Sequence, residues 1–149
     1  MNQWIVIGVS VLAGAAIPLQ AAANAKLGVA MPQPLWAAFV ALTVSSIAIL
    51  AVLLLNRTPL PEPKFFAGAP VWSWFGGLGG AIFIAAGVYF VPQIGAANFL
   101  VATVAGQLLL AAIVDHRGWL GVPSSTIDST RIGGLALILI GAYLFAFKR

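Results

Sequence analysis

An all-α integral membrane protein with five transmembrane helices is the fold class that three observations predict. Hydrophobic residues make up 62% of the 149-residue chain and charged residues only 7%, whereas a soluble domain carries roughly a quarter charged residues. The mean hydropathy is +1.07. Five apolar runs, separated by polar or proline-bearing connections, approach or reach the length that crosses a hydrocarbon core of about 30 Å. They place helices at about 4–25, 35–55, 71–91, 96–115 and 126–147 of a single membrane domain, residues 1–149. Cysteine is absent, which removes disulfides, thiolate metal sites and cysteine nucleophiles. The seven basic residues, in a chain of net charge +4, are scattered among loops and ends. That scatter suits membrane topology and lipid headgroups, and it predicts no nucleic-acid partner.

The first run, Trp4 to Ala25, has no Lys or Arg before it and is too long for a signal-peptide core, so it reads as a retained span. Its second half is unusual. Gln20 and Asn24 lie one turn apart on one face, and Ala16 and Ala13 continue that stripe. Pro18 removes a backbone hydrogen bond just before the polar pair and predicts a kink. Residues 26–34 form a connection stopped by Pro32 and Pro34. The second run, Leu35 to Leu55, opens on Trp36, and its polar groups are Thr43, Ser45 and Ser46. Hydroxyls bond back to the preceding turn, so this reads as an ordinary packing helix.

Residues 58–70 hold Pro59, Pro61, Pro63 and Pro70 and form the clearest loop, with Phe65 and Phe66 placed to dip into the interface. The third run follows interfacial Trp72 and Trp74 and contains Gly76, Gly77, Gly79 and Gly80. Gly76 and Gly80 share a face with Gly87, a spacing that lets helix backbones approach closely. Four glycines in five positions also weaken the helix and make a bend or hinge plausible. A tight turn is predicted at Pro92-Gln93-Ile94.

The fourth run, Gly95 to Gly118, carries Asn98, Thr103 and Gln107 within the apolar stretch and closes on Asp115-His116-Arg117. Unpaired polar groups are costly in hydrocarbon, so this helix should face protein or a polar pathway. Asn98 and Gln107 fall on opposite faces, and Gln107, roughly 17 Å along the helix, sits near mid-membrane. Asn98, Gly106 and Gln107 are therefore candidates for helix or dimer contacts, Asn98 for packing within one subunit. Ser125-Thr126-Ile127-Asp128 matches a capping box with Ser125 as N-cap, which would start the last helix near Thr126. Arg131 follows Asp128 by about a turn. Asp115, Asp128 and Arg131 are candidates for ion pairs at the loop, with Arg117 as another partner for Asp115.

Five spans put the termini on opposite faces. The face of the N-terminus carries Arg57, Lys64, Arg117 and Arg131; the other carries Lys26, Lys148 and Arg149. So even a split leaves two readings open: one orientation set by a weak bias, or insertion in both orientations with pairing as an antiparallel dimer.

Pro18-Leu19-Gln20 with Asn24, Pro34-Leu35-Trp36, Gly76-Gly77-Leu78-Gly79-Gly80, Gly106-Gln107, Asp115-His116-x-Gly118 and Arg131-x-Gly133 occur in this order. Together they resemble the YdcZ-like family of five-span bacterial membrane proteins, a group of unknown function in the drug/metabolite transporter superfamily. The resemblance runs from about Gly14 to Leu144. It implies a protein of the bacterial inner membrane that works as an antiparallel homodimer, a ten-helix inverted-repeat bundle, or as a heterodimer with a sister protein. The third span, with Trp74 before the glycines, also looks like the kinked third helix of small multidrug-resistance exporters. Those exporters place a glutamate in the first helix for cationic drug and proton; this chain has Pro18 and Gln20 in that region.

The chemistry available favours transport over catalysis. His116 is the one histidine, and the carboxylates Glu62, Asp115 and Asp128 all fall outside mid-membrane. No catalytic residue, metal or cofactor is expected. The predicted solute pathway is Gln20, Asn24, Gln107 and Asp115, with Pro18, Gly76, Gly77, Gly79 and Gly80 serving packing or hinge motion. In an inverted pair, Gln20 and Asn24 of one copy reach the depth of the partner's Asp115, and the two Gln107 residues meet near the centre. With no ionisable group at the centre, a small neutral or zwitterionic polar solute is expected. A passive dual-topology channel and a non-transporting accessory subunit of a heterodimeric transporter are the alternatives.

Overall fold

The computed structural model describes residues 2–121, 124, 125 and 128–147. Its α-helices are α1 (Gln3–Ala30), α2 (Leu35–Leu55), α3 (Pro63–Ala67), α4 (Gly76–Ile94), α5 (Ala96–Arg117) and α6 (Ser129–Phe147). A 3-10 turn at Val71–Phe75 leads into α4, and another at Trp119–Gly121 follows α5. Among the described residues there is no strand, and five helical stretches are long and apolar enough to cross a membrane. The chain divides after Gln93 into two compact units.

In the first unit, Asn2 caps α1 by accepting the N–H of Trp4 on Oδ1 at 3.1 Å, which satisfies one of the free donors of the first turn. The helix continues through Pro18 and through the alanine-rich stretch to Ala30, five residues past the expected end. Alanine has the highest helix propensity, and after Pro18 the next proline is Pro32. At 28 residues the helix is about 42 Å long, so its last turns exceed the hydrocarbon core. Exposed Lys26 sits there, with a stem long enough to carry its charge to the headgroups.

Helix α3 lies between α2 and the first 3-10 turn. Phe66 stacks on Trp74 with ring centroids 5.6 Å apart, and Lys64 pairs with Glu62 at 2.6 Å with both side chains exposed. Such aromatic clusters suit the headgroup layer. The turn expected at Pro92-Gln93-Ile94 is helical instead. Pro92 removes a single N–H, and the Gln93 side chain adds a bond from Nε2 to the Tyr89 carbonyl at 2.8 Å. The chain breaks one residue later, at Gly95, whose φ of 84° favours glycine.

Helices α1, α2 and α4 pack at one end only. Their buried residues are Ala21, Ala25 and Gly28 on α1, Ala37 and Ala38 on α2, and Gly87, Val88 and Val91 on α4. Ala37 and Val88 are 0% and 2% exposed and form the centre of this cluster with Ala38. A hydrogen bond from the Tyr89 hydroxyl to Oε1 of Gln33, at 3.3 Å, lies at the same end. By contrast, every residue of 2–20, 43–55 and 71–80 is exposed. Gly76, Gly77, Gly79 and Gly80 therefore stand apart from the packed end, whereas Gly87, expected on the face of Gly76 and Gly80, is buried in it. A Cβ built on Gly76, Gly77, Gly79 or Gly80 would meet nothing within 4 Å, whereas one on Gly28 would collide with Cγ1 of Val88. At Gly28 the missing Cβ is what lets α1 and α4 approach.

In the second unit, α5 and α6 form an antiparallel hairpin, with Phe99 buried on α5. Gly118 ends α5 in the left-handed conformation, φ 62°, and its N–H returns to the Val114 and Asp115 carbonyls. The Asp115 carbonyl also accepts the Ser125 N–H at 2.9 Å, which ties the connecting loop to the end of α5. The capping arrangement expected at Ser125 differs. Asp128 is the N-cap of α6: its Oδ1 accepts the Arg131 N–H at 2.8 Å and its carbonyl accepts the Ile132 N–H at 3.0 Å. An Asp is as good an N-cap as Ser, so the helix begins at Ser129. Thr126 and Ile127, where the earlier start was expected, and the basic pair Lys148-Arg149 lie outside the described residues.

Candidate functional site

Polar side chains in the spans divide into two groups. Ser10, Thr43, Ser45 and Ser46 each return their proton to the carbonyl four residues back, at 2.8 to 2.9 Å. Thr103 donates to the carbonyl three residues back, that of Leu100, at 3.0 Å, and Asn98 Nδ2 donates to the Ile94 carbonyl at 2.9 Å. Each satisfies its donor within its own helix, a cheap solution in hydrocarbon. Gln20, Asn24 and Gln107 have no such bond, and none of the three has a side-chain hydrogen-bond partner among the described residues. A primary amide has two donors and an acceptor, and leaving them unpaired in hydrocarbon costs several kcal/mol, roughly 2–7 by transfer data.

Two of them share a groove in the first unit. Gln20, Ala23, Asn24 and Leu27 on α1 face Val40, Ala41, Val44 and Ser45 on α2 across a cavity of about 350 Å³. Asn24 is half-buried and Gln20 exposed. Helical spacing explains the α1 wall, since 20, 23, 24 and 27 form one continuous stripe. The stripe runs toward Leu27; Ala13 and Ala16, expected to extend it the other way, are exposed and do not line the groove. Ser45 is the residue that sequence reasoning missed. Its proton is committed to Ala41, so it presents its oxygen to the groove as an acceptor. The spacing 41, 44, 45 marks a helix face, but nothing along the chain says which partner that face meets.

In the second unit, Asp115 is half-buried and lines a cavity of about 280 Å³ between α5 and α6, with Leu108, Ala111 and Ala112 on its own helix and Arg131, Gly134, Leu135 and Ile138 opposite. The expected ion pairs are not formed. Among the described residues the ion pair within 4.0 Å is Lys64–Glu62. Asp128 meets Arg131 through the backbone N–H, and the Arg117 guanidinium lies over the Trp119 ring, 5.4 Å from its centroid. Asn98 faces a wider groove of about 800 Å³ with Gly95, Gly141 and Phe145. Gln107 and Gly106 are exposed, and a Cβ on Gly106 would touch nothing. Among the described residues no group of three or more His, Asp or Glu side chains could hold a metal.

Comparison with curated proteins gave no match, and comparison with solved structures gave none. A family model described as "Putative inner membrane exporter, YdcZ" matches residues 5–144. The match reaches all five spans and includes Gln20, Asn24, Gln107 and Asp115. With nearly the whole chain covered, the protein belongs to this family of inner-membrane exporters, and it is a multi-pass inner-membrane protein from a family of transporters and not of enzymes.

Proposed function

We propose that the protein moves a small polar organic solute across the inner membrane by alternating access at an interface between two inverted copies of itself. One observation carries this reading: Gln20, Asn24 and Gln107 present amides without partners inside otherwise apolar spans. A solute, or a facing copy, supplies the missing hydrogen bonds. The groove at Gln20, Asn24 and Ser45 offers amide donors, two amide oxygens and a hydroxyl oxygen as acceptors, but no charge, which suits a neutral or net-neutral solute. The even split of basic residues between the two faces supports insertion in both orientations. Inversion puts Gln20 and Asn24 of one copy at the depth of the partner copy's Asp115, with the two Gln107 side chains meeting near the midplane.

The test is solute flux in proteoliposomes. Gln20→Leu and Asn24→Leu are expected to lower transport by about tenfold or more, the scale of losing one or two hydrogen bonds at a desolvated site, while Ser46→Ala, whose hydroxyl only serves its own helix, leaves it unchanged. Flux that saturates and couples to a gradient supports alternating access; non-saturating flux identifies a channel. Transport unaffected by Gln20→Leu, Asn24→Leu and Gln107→Leu alike refutes the amide pathway. Flux that appears only when a sister protein is added points to a heterodimer.

A further inference from the structure

We infer that the cavity between α5 and α6 is a binding site for a zwitterion with a short aliphatic side chain, of the α-amino acid class. Asp115 and Arg131 stand on opposite walls of this one cavity. They are not within 4.0 Å of each other, and neither side chain has a hydrogen bond or ion pair among the described residues. Two residues of opposite charge, half-buried Asp115 and exposed Arg131, that line one space without neutralising each other match a ligand carrying both complements, an ammonium for Asp115 and a carboxylate for Arg131. The guanidinium fork suits a carboxylate in particular.

Two of the neighbouring charges are otherwise occupied. The Asp128 carboxylate accepts the Arg131 N–H, and Arg117 lies over Trp119; His116 is exposed beside Asp115. The main chain at Asp115 is anchored, because its backbone carbonyl accepts N–H groups from Gly118 and Ser125. Past the charged mouth, Leu108, Leu135 and Ile138 make the wall apolar, and Gly134 leaves room in it. At about 280 Å³ the space is just under the roughly 300 Å³ at which drug-sized ligand sites start, which suits a smaller ligand. An ion of one sign would leave one wall unpaired and meet like charge there. A zwitterion leaves neither.

This rests on the reading of Asp115 as part of the solute pathway, but it is tested by equilibrium binding, without transport. Binding of L-leucine to the purified full-length protein in detergent is compared with 4-methylpentanoate, which lacks the ammonium, and 3-methylbutylamine, which lacks the carboxylate. L-leucine is expected to bind at least about tenfold more tightly than either. Asp115→Asn should abolish its advantage over 4-methylpentanoate, and Arg131→Gln its advantage over 3-methylbutylamine. Equal binding of the three compounds by the wild-type protein, or no binding of any, overturns the site irrespective of how the variants fold. Variants that weaken all three compounds equally overturn the assigned roles of Asp115 and Arg131. Binding with this selectivity but no flux in proteoliposomes retains the site and refutes the transport reading instead.

Discussion

Ser45 and Asn24 line the same groove, yet one has disposed of its donor and the other has not. A hydroxyl on a helix reaches the carbonyl one turn back with almost no rearrangement, and Asn98 shows that an asparagine can do so too. That Asn24, Gln20 and Gln107 do not is why these three carry the functional reading. Gly28 is the residue with the sharpest structural role, because any Cβ there collides with Val88 Cγ1. Gly28→Ala is expected to destabilise the first unit by about 1–3 kcal/mol, the cost of overpacking, read as a lower midpoint of thermal unfolding in detergent. Adding Val88→Ala should recover most of the loss, and the non-additivity of the pair measures the contact. Gly76→Ala meets open space and should leave the monomer's stability equal or slightly higher; a fall in dimer content in that variant would place the glycine face between copies.

Caps and breaks, more than apolar runs, set where the helices end. Both ends of α6 were expected from hydrophobicity and a motif match, but the carboxylate of Asp128 decides its start. Asp128→Ala should cost about 1 kcal/mol of stability and Asp128→Asn much less, since asparagine retains the accepting oxygen; thermal unfolding of both variants distinguishes a cap from an ion pair with Arg131, which Asn would break. At the boundary between α4 and α5, a proline was expected to turn the chain and a glycine did. Pro92 is accommodated in the helix, whereas Gly95 adopts a φ of 84° that other residues resist.

The three spans of the first unit share one packed end and are exposed at the other, and all five spans present large apolar side chains outward. Lipid covers such surfaces at no cost, but it does not pair an amide, so Gln107 is the residue to follow in an assembly. Since the chain has no cysteine, Gln107→Cys introduces a single reporter. It should form a disulfide-linked dimer in native membranes on mild oxidation, while Asn98→Cys, whose position lies in the groove against α6, should not. Accessibility reporters on the two termini should then find each of them on both sides of the membrane; a single orientation with efficient Gln107→Cys crosslinking means a parallel pair.

Much of this molecule is legible along the chain. Five apolar runs, a shortage of charge and proline-rich connections require helices that cross a bilayer, because only helices and closed barrels satisfy their backbone in hydrocarbon. The ordered motifs point to the family, and the polar residues of interest stand out by their apolar surroundings. Which of those polar groups were already satisfied was decided only by tertiary and local geometry: a rotamer choice separates Asn98 from Asn24, and no spacing rule anticipates it. The same holds for pairings across helices. The rotation of α2 about its axis brought Ser45 to Gln20 and Asn24, and the register of the α5–α6 hairpin brought Arg131 to the cavity of Asp115. In spans apolar on every side, hydrophobic patterning carries no information about which face meets which neighbour, so side-chain packing makes that choice.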